Sequence, residues 1–176
     1  MKTSSARSLV VLSIVTDDGT FTAHYSENGL AALDFPKMRR AGRDRLLASP
    51  PAVGSKIPAP IRGWHRLTEA ALKKALAGHA PKKLPPLDWS GKTDFQQSVW
   101  REMRKIPCGE TRSYGQLAGN IGKPAAVRAV GGACGANPVP VLVPCHRVLA
   151  AGGRLGGFSG GLNWKRRLLA REGIIF

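Results

Sequence analysis

The chain has 176 residues and carries 27 Lys and Arg against 11 Asp and Glu, a formal charge of +16. Such an excess points to a polyanionic partner, nucleic acid above all. The apolar runs are too short to span a bilayer, so no membrane partner is expected. Cys108, Cys134 and Cys145 form no Cys-x-x-Cys spacing, which argues against a zinc or disulfide staple and for a reducing, cytoplasmic setting.

Residues 8 to 15, 20 to 25 and 30 to 35 predict three short strands. Asp17-Asp18-Gly19 and Glu27-Asn28-Gly29 lie between them, and Gly and Asn accept the positive φ that tight hairpins require. An antiparallel three-stranded meander follows. From Pro36 to Pro60 the composition turns basic and proline-rich, with Arg39, Arg40, Arg43 and Arg45, and predicts a loop. Thr68 to Gly78 predicts a helix covering the meander, with Leu72, Ala75 and Leu76 on its apolar side. Pro81 to Pro86 resists regular structure and marks a linker. A small α/β amino-terminal domain over residues 1–85, a linker at 81–90 and a mostly α carboxy-terminal domain over 91–176 are therefore expected.

Thr93-Asp94-Phe95-Gln96 is a capping box, and Phe95, Val99, Trp100, Met103 and Ile106 give the following helix, to about Lys105, a core face. Pro107-Cys108-Gly109 ends it, with Cys108 a structural thiol. Ser113 to Ala118 predicts a short helix, Gly119 to Gly122 a turn, and Pro124 to Cys134 a second helix opened by its proline, the spacing of a helix-turn-helix. Val127, Val130 and Cys134 are expected inside. Ala125, Ala126, Ala129, Gly131, Gly132 and Ala133 leave the rest of that helix nearly bare. It offers few groups to read base edges but permits close approach to a narrow groove. Arg128 rises alone from this smooth face, which suits a minor-groove contact with arginine filling a gap in the base stack.

Asn137-Pro138-Val139-Pro140 breaks the second helix, and Asn137 is expected to tie two loops through backbone bonds. An apolar run then reaches Pro144-Cys145-His146-Arg147-Val148, which sets a potential nucleophile beside a potential base. A thiol reacts as its thiolate, and an imidazole, cations or an ordered water lower the cost of making one. The alternative is that Cys145 is a small buried hydrophobe. Paired glycines at 152–153, 156–157 and 160–161 flank Phe158 and Ser159 in a loop able to approach a ligand closely. The last helix, Leu162 to Arg171, is expected to turn Trp164, Leu168 and Leu169 inward and Lys165, Arg166, Arg167 and Arg171 outward. Glu172 at its end is free to return toward the cysteine and histidine.

The run Asn137 to Val148, with Arg128-Ala129-Val130-Gly131 before it and Ser159-Gly160-Gly161-Leu162 after it, closely resembles the O6-alkylguanine-DNA alkyltransferases over residues 93 to 173. The amino-terminal part resembles that family in layout, a ribonuclease-H-like sheet. The resemblance implies repair of DNA by direct reversal of damage. One methyl or larger alkyl group would pass from O6-alkylguanine, or O4-alkylthymine, in double-stranded DNA to Cys145, with no metal and no cofactor. It implies that His146 is the base through a water, that Glu172 holds the imidazole, that Asn137 fixes the turn and that Tyr114 gives a proton to the departing guanine. Backbone groups of Cys145 and Val148 and the Ser159 amide would read the flipped base, with Phe158 and Cys134 lining the pocket. Arg128 would fill the gap in the stack while Tyr114 crowds the phosphate. Gln96, Gly115, Lys123, Ala126, Ala129 and Ala151 would meet the DNA, with Lys123 and Arg147 neutralising phosphates.

The same resemblance implies a monomer. Phe158 stands where many relatives carry tyrosine, which removes any hydroxyl role there but keeps an aromatic wall. Some members hold a structural zinc in the amino-terminal domain, and here only His24 falls in a suitable place, so no zinc is expected. Cys145 separates the chain from relatives that bind lesions without an acceptor. Two competing readings are a lesion-binding regulator without chemistry and a cysteine hydrolase built on Cys145 and His146.

Overall fold

The computed structural model describes residues 9–36 and 57–176, so the expected basic loop from Arg39 to Lys56 lies outside the described residues. β1 (Val10–Thr16), β2 (Gly19–Ser26) and β3 (Gly29–Asp34) form an antiparallel sheet in that order. Thr16 faces Gly19 and Ser26 faces Gly29, so each hairpin loop holds two residues. Gly29 is required twice over: its φ is 148°, and a Cβ there would stand 2.3 Å from the Pro86 carbonyl oxygen. Alternation in β1 and β2 buries Leu12, Ile14, Phe21, Ala23 and Tyr25 and leaves Val11 and Val15 exposed.

α1 (Ala59–Leu76) carries Ile61, Ala71, Leu72, Ala75 and Leu76 into the same core. It begins well before the expected Thr68. Pro58 and Pro60, which composition assigns to a loop, occupy the cap and the first turn, where a backbone N–H has no partner within the helix. The stretch from Pro81 to Pro86 forms neither helix nor strand. It is nevertheless stitched to β3, because Leu30 N–H donates to Pro86 O at 2.8 Å and Asp88 N–H to Leu30 O at 2.9 Å.

α2 (Asp94–Met103) opens on the expected capping box, with Thr93 Oγ1 accepting from Gln96 N and Gln96 Oε1 from Thr93 N, both at 3.2 Å. β4 (Arg112–Ser113) leads directly into α3 (Tyr114–Asn120), capped in the same reciprocal way by Ser113 and Gln116. α4 (Val127–Gly135) starts three residues after the expected Pro124. Ala126 N–H donates to Lys123 O at 2.9 Å, so Pro124 is the second residue of a turn and does not open the helix. The buried residues also differ from those expected. Val127, expected inside, is exposed, while Ala133, expected outside, is buried beside Val130 and Cys134. α2 and α4 meet at Trp100, fully buried, whose indole N–H donates to Ala133 O at 2.8 Å.

β5 (Val148–Leu149) pairs in parallel with β4, Arg112 opposite Val148 and Ser113 opposite Leu149. This pair sets the start of α3 beside the Cys145-His146-Arg147 turn. α5 (Leu162–Arg171) ends the fold, and Arg171 donates to Asp18 in the β1–β2 turn at 2.5 Å, fastening the last helix to the first hairpin. No helix among the described residues is long and apolar enough to cross a membrane. Leu72 is fully buried where α1 meets the sheet. Leu72→Ala should lower unfolding stability by about 2–5 kcal/mol in urea titration, and an unchanged midpoint would show that α1 is not part of this core.

Candidate active site

Asn137, buried just after α4, organises the chain that leads to the thiol. Its Oδ1 accepts from Val139 N–H at 3.1 Å, and its Nδ2 donates to Val143 O at 2.8 Å and reaches Cys145 Sγ at 3.2 Å. Between those anchors Val141 sits at φ 71°, a left-handed conformation that costs a β-branched residue on the order of 1–3 kcal/mol. One amide therefore holds a strained reversal in place and touches the nucleophile. No sequence pattern marks the strain at Val141.

Cys145, His146 and Arg147 form one buried 3-10 turn. Among the described residues the thiol and the imidazole share no direct hydrogen bond. His146 Nε2 lies 3.0 Å from Glu172 Oε1, a carboxylate with only 2% of its side chain accessible. Nε2 donates, which fixes the neutral tautomer and leaves the Nδ1 lone pair buried with no partner among the described residues. Arg147 completes the clamp. Its Nη2 donates to Glu172 Oε1 at 2.9 Å, its Nε to Oε2 at 3.0 Å, and its Nη1 to Ile106 O at 2.7 Å. Arg147 is therefore a buried structural ion and not the phosphate contact expected of it.

The electrostatics follow from burial first. Burial pushes the Cys145 thiol up, opposed by the Asn137 amide and the Lys165 cation. Burial likewise holds His146 below the ordinary imidazole value although Glu172 pulls it up. Burial also disfavours the Glu172 carboxylate, yet hydrogen bonds from His146 and Arg147 outweigh it and hold the group down at about 2.

Lys165 corrects the reading of α5, which expects it outside. It is fully buried, and its Nζ donates to Val148 O at 2.6 Å and also to Leu155 O. Burial brings it down to about 8. The ammonium thus joins the strand after the thiol to the glycine-rich loop and is a cation close enough to act on Cys145. A signal for this existed, because Lys165, Leu168 and Leu169 stand at i, i+3 and i+4, on one helical stripe. A long aliphatic stem lets lysine occupy such a stripe.

Tyr114 is half-buried at the head of α3, its phenol raised by burial and by the neighbouring Cys134 and Cys145 thiols. A Cβ on Gly156 would lie 3.0 Å from its hydroxyl, so tyrosine and loop are in close contact. Cys134 and Val148 are buried, with the Cys134 thiol pushed up to about 12 by burial and then by Cys145. Phe158 is half-buried and Ser159 exposed on the loop. Gly115, Lys123, Arg128, Ala129 and Ala151 are exposed, and Gln96 and Ala126 partly so. Cys108 lies beside the clamp, its thiol donating to Gly78 O at 3.1 Å and pushed up by burial and then by Glu172.

The site is a buried nucleophile with a donor amide, a nearby cation and an imidazole whose free nitrogen can take a proton. Glu172 also makes the fold acid-sensitive. Folded Glu172 stays ionised to about 2 against an ordinary 4.5, so across that window the unfolded chain binds more protons. Stability should fall as pH drops from about 5 toward 2, by at most a few kcal/mol. Glu172→Gln should flatten that limb in acid-unfolding curves, and equal slopes for both proteins would contradict the clamp.

Residues 94–174 match the family model described as 6-O-methylguanine DNA methyltransferase, DNA binding domain. Two mycobacterial proteins named methylated-DNA--protein-cysteine methyltransferase are similar to the chain. The one from Mycobacterium tuberculosis is 58% identical over 86 residues, 49% of this chain and 52% of its own length. The one from Mycolicibacterium paratuberculosis is 44% identical over 138 residues, 75% of this chain and 83% of its own. The chain thus spans about half the length of some curated relatives it matches and most of others. The crystal structure of Mycobacterium tuberculosis OGT in complex with DNA superposes with a TM-score of 0.70 at 37% identity, covering 92% of this chain and 91% of that one. A hyperthermophilic archaeal O6-methylguanine-DNA methyltransferase from Pyrococcus kodakaraensis, 23% identical with a TM-score of 0.60, shares the fold. The 44% identity to the Mycolicibacterium paratuberculosis protein, across three quarters of this chain, places it in the methylated-DNA, protein-cysteine methyltransferase family.

Proposed function

We propose that the chain repairs alkylated DNA by moving one alkyl group from O6-alkylguanine, or O4-alkylthymine, onto its own Cys145. The observation that carries this reading is the buried Glu172–His146 pair, whose Nδ1 has no partner among the described residues and whose imidazole belongs to the residue next to a thiol already held by Asn137. The thiol proton passes through a water to His146 Nδ1, and Glu172 stabilises the imidazolium that results. Sγ then attacks the alkyl carbon. The C–S bond forms as the C–O6 bond breaks, the electron pair leaves on guanine, and the Tyr114 hydroxyl supplies the proton that neutralises it. The thioether has no hydrolytic way back, so each molecule acts once. No metal and no cofactor is required. A hydrolase built on the same cysteine would turn over repeatedly.

The lesion must leave the duplex to reach a buried thiol, at a cost of a few kcal/mol in stacking and pairing. α3, the turn after it and α4 act as the helix-turn-helix of a minor-groove reader. Exposed Ala125, Ala129 and Gly132 allow close approach, and exposed Arg128 enters the stack. Gln96, Gly115, Ala126 and Ala151 contact the backbone around it, and Lys123 neutralises phosphate, making affinity fall with salt. Val148, Ser159, Phe158 and Cys134 enclose the base. DNA bound to the Mycobacterium tuberculosis relative supports this partner. We further propose that the amino-terminal sheet is a ribonuclease-H-like domain ending near residue 85, and that the protein works as a cytoplasmic monomer.

Incubation with duplex DNA carrying O6-methylguanine should add one methyl mass to the peptide bearing Cys145, with one equivalent consumed per protein. No added mass, or many equivalents, would refute the reading. Arg128→Ala should slow repair in duplex DNA by about tenfold or more, as loss of part of what offsets a flipping cost of a few kcal/mol, while reaction with free O6-benzylguanine stays near wild type. Equal losses on both substrates would remove Arg128 from base flipping.

A further inference from the structure

The glycine-rich loop from Ala150 to Gly161 forms one wall of the proposed pocket. Gly152, Gly153, Gly156 and Gly161 all adopt φ between 66° and 86°, conformations that glycine reaches freely, so the position of the wall is set by what packs against it. Lys165 fixes the early part through the carbonyls of Leu155 and, at 3.5 Å, Gly157. The later part, which bears Phe158 and Ser159, meets a residue from the other end of the chain. Phe35, directly after β3, lies 5.7 Å from the Phe158 ring, centroid to centroid, in an edge-on arrangement. It is braced from behind by Trp164 at 4.9 Å and Phe21 at 5.6 Å. It also lies flat against the loop backbone, since a Cβ built on Gly160 would fall 2.6 Å from its ring carbon.

We infer that Phe35 is a specificity-determining residue. It is an aromatic backstop, delivered by the amino-terminal sheet, that sets how far Phe158 and Ser159 stand from Cys145 and so which alkyl sizes the pocket accepts. The inference rests on the alkyl-transfer reading above. Phe35 touches neither thiol nor relay, so it acts on the reaction only through the position of the wall. Taking away the backstop gives larger groups room and leaves small ones less closely confined. A pocket contact of one or two carbons changes discrimination by about tenfold or more.

The test compares rates of transfer to Cys145 from one duplex carrying either O6-methylguanine or O6-benzylguanine. Phe35→Ala should raise the benzyl-to-methyl rate ratio about tenfold, with Phe35→Leu between it and wild type. Adding Gly160→Ala to Phe35→Ala should bring the ratio back toward wild type, because the new methyl occupies space the ring has left. A role confined to stability would lower both rates together. Unchanged ratios in an active Phe35→Leu protein would overturn the inference, and that variant carries the test if Phe35→Ala fails to fold. A wild-type protein that transfers neither group would overturn the alkyl-transfer reading itself, and with it this one.

Discussion

A buried carboxylate is tolerable only when its charge is matched and its lone pairs are filled, and the carboxy-terminal half of this chain is built to satisfy one. Glu172 receives His146 and two nitrogens of Arg147, while Gly109 N–H approaches at 3.4 Å. Arg147 is tied in turn to the carbonyl of Ile106, close after α2. The end of α5, the turn holding the thiol and the exit of α2 are therefore locked by a single set of charge-assisted bonds. Removing one partner from such a buried group typically costs about 3–5 kcal/mol, because the other charge stays inside unpaired. The same bonds decide the chemistry. With Nε2 committed to Glu172, the only imidazole nitrogen left to take a proton is Nδ1.

The thiol occupies the opposite electrostatic situation. Among the described residues no carboxylate pairs with Lys165, whose ammonium is held by backbone carbonyls of Val148 and the glycine-rich loop. Burial raises Cys145, and the forces against that rise are the Asn137 amide and this cation. The site thus stores a neutral thiol whose anion would find a donor and a positive field already in place. Asn137 adds a mechanical part, since the amide that meets Sγ also holds the strained turn at Val141. Both halves of the chain contribute, because Phe35 and Asp18 reach from the amino-terminal sheet to the loop and the last helix.

Much of this was legible in the residues, and what was not has identifiable physical reasons. The two hairpins follow from their glycines and the first capping box from Thr93 with Gln96, whereas Ser113 with Gln116 is expected only to begin a short helix and proves to be a second box. α1 began early because Pro60 suits a first helical turn as well as it suits a loop. α4 began late because Pro124 found a turn instead, which leaves Val127 at the exposed first position of the helix, while Ala133 is buried against Trp100. Arg147 and Lys165 were the larger misjudgements. Charge favours the surface for both residues, and neither position shows from composition that carboxylate or carbonyl partners wait inside. The helical spacing of Lys165 with Leu168 and Leu169 was the available warning. The strain at Val141 and the backstop at Phe35 depend on contacts between distant segments and leave no local pattern.

The proposed mechanism requires Glu172, acting through His146, to ease the ionisation of Cys145. The most direct measurement is the ionisation of the Cys145 thiol, followed by the pH dependence of its reaction with a small electrophile, in wild type and in Glu172→Gln. The account predicts that the variant stays folded at neutral pH and that its thiol ionises at distinctly higher pH than the wild type. Superimposable titrations in two folded proteins would contradict it, and would reduce the Glu172 clamp to a structural tie.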